Sequence, residues 1–155
     1  MKVVVIIPTF NEKGNIDRLI EILEEEVFPK IKNHQMSILV ADDNSPDKTA
    51  DEVKKLMKKY KNLELNQGEK QGLGAAYVRA MTYAIDKMGA EVMFEMDADL
   101  SHDPHKIPDF LKKIDEGYDF VIGTRYSQGG SIPSNWGIHR KMFSVFGNLL
   151  VRFIL

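Results

Sequence analysis

Acidic side chains follow two apolar segments of the sequence, at the point where each segment ends. Asp43 follows the apolar segment 37–41, and Asp97 and Asp99 follow the segment 91–96. Carboxylates that gather in one place repel each other unless a cation lies among them. Hard oxygen ligands suit Mg²⁺ or Mn²⁺, which proteins usually share with substrate phosphates. The pattern therefore indicates a divalent-metal site that binds a phosphorylated ligand.

The segment Asp97-Ala98-Asp99 is the sharpest of these features. Because side chains alternate along a strand, both carboxylates can leave on the same side. One can bind a metal directly, and the other can hold metal-bound water or a ribose hydroxyl. His102 lies three residues after Asp99 and is a further candidate for contact with the metal or the acceptor. The alternative is that Asp simply favours turns after strands, but acidic residues at other strand ends favour a site.

Three other side chains could contact a nucleotide, and each has a structural alternative. Asp43 could accept hydrogen bonds from a base or a ribose. The alternative for this segment is that Asp42 or Asn44 only shapes the turn and that Asp47 only favours the helix N-terminus. Phe10 could stack on a base, although a Phe after a buried strand also suits the core. Glu12 could reach the ribose or base, or it could stabilise the first turn of the next helix.

Two arginines follow the acidic segments and could bind anions. Arg125 lies just after the apolar segment 119–123, where a guanidinium can clamp a phosphate with two hydrogen bonds. Its alternative is a structural ion pair with Asp97 or Asp99. Arg140 could bind an anionic second substrate, or it could belong to a solvated basic face.

Strand-like and helix-like segments alternate and must position these residues. Short apolar runs predict five strands, and apolar residues at helical spacing predict five helices. Ser45 followed by Pro46 predicts the start of the second helix. The glycines of Gln71-Gly72-Leu73-Gly74 predict a tight turn before the third helix, with half of a phosphate-binding loop as the alternative. The predicted strands are 2–8, 37–41, 63–65, 91–96 and 119–123, and the helices are 16–27, 46–60, 73–88, 104–116 and one from 138 onward. This order predicts an α/β fold with a doubly wound, mostly parallel sheet and helices on both faces. Ligands of such sheets bind beyond the carboxyl ends of the strands.

Length and composition restrict the class of protein. The 155 residues include 21 Lys and Arg against 23 Asp and Glu, a net charge of −2, with 43% hydrophobic residues. These values are typical of one globular domain over 1–155 and exclude a disordered or collagen-like chain. The near-neutral charge argues against a nucleic-acid partner. The absence of cysteine excludes a disulfide scaffold and thiolate-bound zinc. Since no apolar run reaches about 18 residues, no membrane-spanning helix is expected.

Several segments, taken together and in order, resemble a known family. They are VIIPTFNE (5–12), ADDNSPD (41–47), GLGAAY (72–77), MDADLSHDP (96–104), GTRY (123–126) and the stretch from Trp136 to Arg140-Lys141. They resemble the polyprenyl-phosphate or dolichyl-phosphate mannose synthases of glycosyltransferase family 2, which have the GT-A fold. The combination of the fourth, fifth and last segments is the most specific, and the resemblance spans nearly the whole chain.

The resemblance implies a reaction and a set of site residues. GDP-mannose, held with Mg²⁺ or Mn²⁺, would transfer mannose to a polyprenyl (dolichyl) phosphate with inversion of configuration. Because the lipid phosphate is already anionic, this reaction would need no general base. The resemblance implies that the nucleoside binds to Pro8, Phe10, Glu12, Ala41 and Asp43. It implies that the ribose, diphosphate and metal bind to Asp97, Ala98 and Asp99. Arg125 would contact the donor diphosphate or the lipid phosphate, and Arg140 would contact the acceptor phosphate. Ser101 stands where some relatives carry a metal-binding Gln. The alternatives are a glucose or UDP-sugar donor, another acceptor, or a non-catalytic nucleotide-sugar-binding fragment.

The end of the chain carries further expectations. Family members continue beyond the point that matches Leu155, so we expect a single catalytic domain that is incomplete at its C-terminus. The apolar helix from 138 onward, with Arg140 and Lys141 at its start, could lie in the interface of a membrane. Its alternative is a core or dimer face. The expected location is the cytoplasm, at the cytoplasmic face of a membrane.

Overall fold

Four parallel strands form the sheet of the computed structural model, which describes residues 1–124 and 137–154. The strands are β1 (Lys2–Thr9), β2 (Gln35–Asp42), β3 (Leu63–Gln67) and β4 (Val92–Glu95). Their order across the sheet is β3-β2-β1-β4, and each neighbouring pair is parallel. The mostly parallel sheet predicted from the sequence is confirmed.

The central strands are buried on both faces, which explains their continuous apolar sequences. In β1, the side chains of Val3, Val5 and Ile7 pack in one core cluster, and those of Val4 and Ile6 pack in another. The register pairs Lys2 with Gln35 and runs to Thr9 beside Asp42, so β1 and β2 end together.

The described residues contain five α-helices, of which the first four lie on the two faces of the sheet. They are α1 (Asn15–Ile22), α2 (Thr49–Leu56), α3 (Leu73–Tyr83), α4 (Ile107–Asp115) and α5 (Ile138–Ile154). A π-helical turn (Leu23–Val27) and a 3-10 turn (Phe28–Lys30) prolong α1, a π-helical turn (Ala84–Met88) prolongs α3, and a 3-10 turn (Pro104–Lys106) precedes α4.

The two core clusters lie on opposite faces of the sheet. The first cluster joins β1 to Leu19 of α1 and Leu111 of α4. The second joins β1 to Ala80 of α3 and to Ala84, which follows it. These small side chains let the helix backbone approach the sheet closely. The doubly wound arrangement expected from the sequence is therefore confirmed.

The second helix begins later than the sequence predicted. We expected Ser45 to cap it, but α2 begins at Thr49, after Lys48 with a left-handed φ of 70°. The Ser45 hydroxyl instead donates a 2.6 Å hydrogen bond to Asp42 Oδ1 and accepts one from the Asn11 backbone N–H. The serine is used to join two loops, so it is not available as a helix cap.

The predicted fifth strand at 119–123 is wrong, because these residues have no strand pairing within the described part of the chain. A short apolar run predicted a strand, yet Phe120 and Ile122 are 79% and 71% exposed. A strand needs a neighbour for its backbone groups, and sequence periodicity cannot supply that neighbour.

The described residues form two compact units, Met1–Glu116 and Gly117–Leu155. The first contains the sheet and α1 to α4, and the second contains α5, which begins at the predicted residue. None of the helices in the described residues combines the length and apolar composition that crossing a membrane requires.

Candidate active site

A pocket of about 320 Å³ lies in the first unit, beyond the carboxyl ends of β1, β2 and the segment after β4. This is where an open parallel sheet binds its ligands. The loops after β1, β2 and β4 and the start of α3 all contribute side chains. The lining residues are Pro8, Thr9, Phe10, Glu12, Asp43, Lys70, Gly72, Leu73, Ala76, Asp97, Ala98 and Asp99.

Most of the candidate residues from the sequence meet in this one pocket. Those that line it are Pro8, Phe10, Glu12, Asp43, Asp97, Ala98 and Asp99. Ala41 does not, because it is fully buried in the sheet and its methyl group packs in the core. Ser101 is exposed and bonds to Asp99. Arg125 lies outside the described residues, and Arg140 is an exposed residue of the first turn of α5, in the second unit.

The loops after β1 and β2, residues 9–15 and 42–49, are joined by hydrogen bonds and are called here the joined loops. At their centre is Asp42, which is fully buried. Its carboxylate accepts hydrogen bonds from the Thr9 hydroxyl at 3.0 Å and from the backbone N–H of Ser45 at 3.0 Å, in addition to that from the Ser45 hydroxyl. Further along, the Glu12 N–H donates to the hydroxyl of Thr49 at 3.1 Å.

Because these bonds occupy Asp42, it is a structural residue, as the turn alternative for this segment proposed. It fixes the position of the pocket residues on either side of it in the sequence. Asp47 acts in the same way, since it accepts bonds from the Thr49 hydroxyl at 2.6 Å and the Lys13 N–H at 3.0 Å. The bond from Thr49, the largest effect, lowers the pKa of Asp47.

Asp43 has a different environment from its neighbour Asp42. It lines the pocket while being 6% exposed, and its Oδ1 accepts a 2.8 Å hydrogen bond from Arg79 Nη2. Arg79 lies on α3 and also donates from Nε to Asn66 Oδ1 at 2.8 Å. The guanidinium thereby offsets the charge of a carboxylate that has little contact with water.

The segment after β4, residues 97–103, is called here the acidic turn, and local contacts hold it. The Asp99 carboxylate accepts a 2.9 Å hydrogen bond from the Ser101 backbone N–H. This bond, followed by one from the Ser101 hydroxyl, lowers the pKa of Asp99. Leu100 between them has a φ of 61°, a left-handed conformation that a leucine rarely adopts. His102 folds back, and its Nδ1 accepts from the Asp97 N–H at 3.2 Å.

The acidic turn therefore presents an exposed Asp99 that is ionised at neutral pH. Tyr77 on α3 lies close enough to be affected by this region. Burial, followed by the charges of Asp97 and Glu95, raises the pKa of Tyr77 to about 12, so its phenol is neutral at physiological pH.

Phe10 is a surface residue of the pocket and not part of the core. It is 36% exposed, and the ammonium group of Lys70 lies 3.2 Å from its ring centroid. This cation–π contact places the ammonium group of Lys70 over one face of the ring. An aromatic face at the rim of a pocket can also stack on a nucleotide base.

Glu12 has the structural role that the sequence left open, and it also lines the pocket. Its carboxylate accepts a 2.9 Å hydrogen bond from the Asn15 side chain, and its carbonyl accepts from the N–H groups of Asn15 and Ile16. It thus stabilises the start of α1 while lining the pocket.

For a divalent cation, the pocket offers Asp97 and Asp99. No group of three or more His, Cys, Asp or Glu side chains that could hold a metal ion exists among the described residues. Two carboxylates match a Mg²⁺ or Mn²⁺ ion whose other ligands are substrate phosphates and water.

Sequence reasoning missed Arg79 and Lys70. The signal for Arg79 was present, since it is the only charged residue between Leu73 and Ile85. A single arginine in an otherwise uncharged helix segment suggests a specific partner. Its contact with Asp43, 36 residues away, could not be predicted from spacing. Gly72, which begins α3 with a φ of 98°, confirms the tight turn expected there.

A parallel α/β sheet with an acidic, partly aromatic pocket beyond its strand ends is the arrangement in which open α/β proteins bind their ligands. Comparison with known proteins gives the family. The sequence model of Glycosyl transferase family 2 matches residues 4–154, and the chain belongs to this family.

Three curated relatives are similar over nearly the whole chain. The dolichol-phosphate mannosyltransferase of Pyrococcus furiosus is 38% identical over 93% of this chain and 38% of its own length. The polyprenol monophosphomannose synthase of Mycolicibacterium smegmatis is 36% identical over 99% of this chain and 56% of its own. The undecaprenyl-phosphate mannosyltransferase of Micrococcus luteus is 35% identical over the full chain and 60% of its own length. The chain therefore spans about two fifths to three fifths of these relatives.

Solved structures of S. aureus TarS share the fold. One is 26% identical with a TM-score of 0.59 and covers 83% of this chain and 40% of its own. A second, in complex with UDP, is 30% identical with a TM-score of 0.57 and covers 75% of this chain and 32% of its own.

Proposed function

We propose that the chain is the donor-binding part of a polyprenyl-phosphate mannosyltransferase. In this proposal, mannose passes from GDP-mannose to the phosphate of a polyprenyl or dolichyl lipid, with inversion and with Mg²⁺ or Mn²⁺. The observation that carries it is the meeting of seven candidate residues in one pocket of a chain whose relatives bear polyprenyl-phosphate mannosyltransferase names. The chain covers only part of those relatives, so the whole reaction is an inference from them.

The nucleoside of the donor would bind at the joined loops. Phe10 offers an aromatic face for the base, Asp43 offers a carboxylate for base or ribose donors, and Glu12 offers a second carboxylate. Pro8 would contribute contact surface. Ala41 would support this region from the core, since its side chain does not reach the pocket.

The diphosphate would bind at the acidic turn. Asp97 and Asp99 would hold the divalent ion, with Ala98 between them leaving room for the donor, and the Ser101 hydroxyl is a possible further oxygen ligand. The lowered pKa of Asp99 supports this role, because a metal ligand must be deprotonated. When bound, the ion supplies electrostatic stabilisation of the charge that develops on the leaving diphosphate.

The acceptor phosphate would need alignment and not activation. A lipid phosphate is anionic at neutral pH and can attack the anomeric carbon without a general base. We propose that Arg125 contacts the donor diphosphate or the lipid phosphate, and that Arg140 helps to bind the acceptor. Guanidinium groups suit both tasks because they bind phosphate with paired hydrogen bonds.

We also propose that α5 contacts the surface of a membrane, where a polyprenyl acceptor is found. The helix exposes large apolar side chains, among them Phe143, Phe146, Leu149 and Phe153 at 64% to 91% exposure. Exposed apolar side chains on a helix with basic residues in its first turns, here Arg140 and Lys141, are typical of peripheral binding to anionic lipid. The cytoplasmic leaflet is the proposed location.

A transfer assay tests the proposal. Radiolabelled GDP-mannose is incubated with a polyprenyl phosphate in detergent and Mn²⁺, and label in the lipid phase is measured. We expect transfer that chelation of the metal abolishes and that Asp99→Asn reduces about 100-fold or more. If GDP binds but no label reaches the lipid, the chain is a nucleotide-sugar-binding fragment and not a transferase.

A UDP-sugar is the second candidate donor, because a related TarS structure contains UDP. Calorimetry with GDP, UDP, GDP-mannose and UDP-glucose, with and without Mn²⁺, separates the two. Tighter binding of the guanine nucleotides supports the mannose donor. Tighter binding of the uracil nucleotides would instead identify a UDP-sugar, such as UDP-glucose, as the donor.

A further inference from the structure

Arg79 reaches the pocket indirectly, through a chain of contacts that crosses the end of the sheet. It lies on α3, and its side chain is 26% exposed. One nitrogen, Nε, donates to Asn66 Oδ1 near the end of β3, and another, Nη2, donates to Asp43 Oδ1, both at 2.8 Å. Arg79 is not among the residues that line the pocket, whereas Asp43 is.

The backbone has room for this arginine only because residue 68 is a glycine. A Cβ atom built on Gly68 would lie 2.5 Å from the Cζ and Nη1 atoms of Arg79, far inside van der Waals contact. Gly68 does not adopt a left-handed conformation, so its backbone does not require glycine. The space that it leaves is filled by the guanidinium, which indicates that this glycine accommodates the arginine.

The arrangement fixes one oxygen of Asp43 and leaves the other for a ligand. Oδ1 is held by Arg79, and among the described residues no hydrogen-bond donor is found for Oδ2. A side chain that is 8% exposed and lines a pocket presents that remaining surface to the pocket. The carboxylate is thus prepared in one orientation before a ligand arrives, which lowers the entropic cost of binding.

Resting on the proposed function, we infer that Arg79 is a positioning residue for nucleoside recognition. Through Asn66 and Gly68 it holds Asp43 so that the second carboxylate oxygen accepts a hydrogen bond from an N–H of the base or a hydroxyl of the ribose. Arg79 itself does not touch the ligand. Its effect is confined to the nucleoside and does not extend to the diphosphate, which the acidic turn binds.

The first test compares two probes that differ only in the nucleoside. Calorimetry in the presence of Mn²⁺ measures the binding of GDP and of inorganic pyrophosphate to the wild-type chain and to Arg79→Gln. We expect GDP, or UDP if the uracil nucleotide binds better, to bind about tenfold more weakly to the variant. Pyrophosphate binding should be unchanged, whereas general loss of structure would weaken both probes.

Gly68→Ala provides a second perturbation that keeps the arginine. The added methyl group must displace the guanidinium, so the same selective loss of GDP binding is expected. Gly74→Ala is the matched control, since a Cβ there meets no atom within 4 Å and Gly74 does not line the pocket. Arg79→Lys should restore only part of the binding, because one ammonium group cannot reproduce the two directed bonds.

A double-mutant cycle with Asp43→Asn separates positioning from direct contact. If Arg79 acts through Asp43, then Arg79→Gln causes no further loss in the Asp43→Asn background. An equal loss in both backgrounds would mean that Arg79 contacts the nucleotide directly, which overturns the inference. If the wild type binds GDP and both Arg79→Gln and Gly68→Ala bind it equally well, this inference is overturned while the proposed function stands. A wild-type chain that binds neither GDP nor UDP would overturn the proposed function and this inference together.

Discussion

The joined loops and the acidic turn both follow strands of one sheet and both carry aspartates, yet they use them differently. In the joined loops, Asp42 is fully buried and accepts bonds from Thr9 and Ser45. In the acidic turn, Asp99 is exposed and accepts a hydrogen bond from the nearby Ser101. The buried carboxylate of Asp42 has its acceptor positions occupied and stabilises the fold, whereas the exposed carboxylate of Asp99 is accessible to a ligand.

The two regions also differ in the hydrogen bonds that fix the positions of their pocket residues. Bonds between residues more than 30 positions apart, such as Glu12 to Thr49, hold the nucleoside side in place. The acidic turn instead depends on short-range bonds and on the left-handed Leu100. Substitution of Asp42 in the joined loops should therefore lower stability, whereas substitution of Asp99 in the acidic turn should weaken ligand binding.

The largest effect should come from Asp42→Ala. The change leaves the Thr9 hydroxyl and the N–H and hydroxyl of Ser45 without their shared acceptor in a buried region. We expect the free energy of unfolding to fall by about 3–4 kcal/mol, measured by urea denaturation. Asp51→Ala, an exposed carboxylate on α2, is the control and should change stability by about 0.5 kcal/mol or less. Equal losses in both variants would contradict a special role for Asp42.

Asp99→Asn should have the opposite profile. Removing one negative ligand should weaken Mn²⁺-dependent GDP binding about 100-fold, equivalent to about 2.7 kcal/mol, while the urea midpoint stays nearly unchanged. Asp103→Asn is the matched control, because Asp103 caps the turn before α4 and does not line the pocket. If Asp99→Asn destabilised the fold as strongly as Asp42→Ala, the distinction between the two regions would be lost.

Lys48→Gly should sharpen the comparison with a small gain in stability. Lys48 is exposed and has a φ of 70°, a conformation that glycine adopts without steric cost. We expect the free energy of unfolding to rise by about 0.5–1 kcal/mol in thermal or urea unfolding. Lys54→Gly, in the interior of α2, should instead lower it by about 1 kcal/mol. A loss at both positions would show that the Lys48 side chain contributes more than its backbone costs.

The smallest effect concerns pH and lies just after the acidic turn. Hydrogen bonds that the imidazole donates to the carboxylate of Glu26, and then to that of Asp103, raise the pKa of His105 above its usual 6.5. A raised pKa in the folded state means that the stabilisation is fully present below pH 6.5 and is lost as the pH rises through the folded pKa. The stability difference between wild type and His105→Gln should therefore shrink between pH 6 and pH 8.5. A difference independent of pH would indicate that packing, and not charge, accounts for the contribution of His105.

Much of the fold followed from local patterns. Apolar runs in β1 and β2, the turn at Gly72 and the helix from Ile138 onward were all predicted, because they depend on residues close in sequence. The segment 119–123 was the exception, because its short apolar run resembled a strand but strand pairing requires a partner that a local pattern does not reveal. The start of α2 was misplaced for a similar reason, since a distant loop uses Ser45.

The sequence by itself determined which carboxylates follow the ends of strands, because the position of a strand along the chain and the alternation of its side chains depend on neighbouring residues. Only the tertiary structure decided that Asp42 is buried and structural while its neighbour Asp43 faces a pocket. It also decided that Arg79 donates a hydrogen bond to Asp43, which lies 36 positions away in the sequence. The burial of a side chain and its choice of ion-pair partner depend on which surfaces pack together. That packing brings together residues that are far apart in the sequence, and no local pattern predicts such contacts.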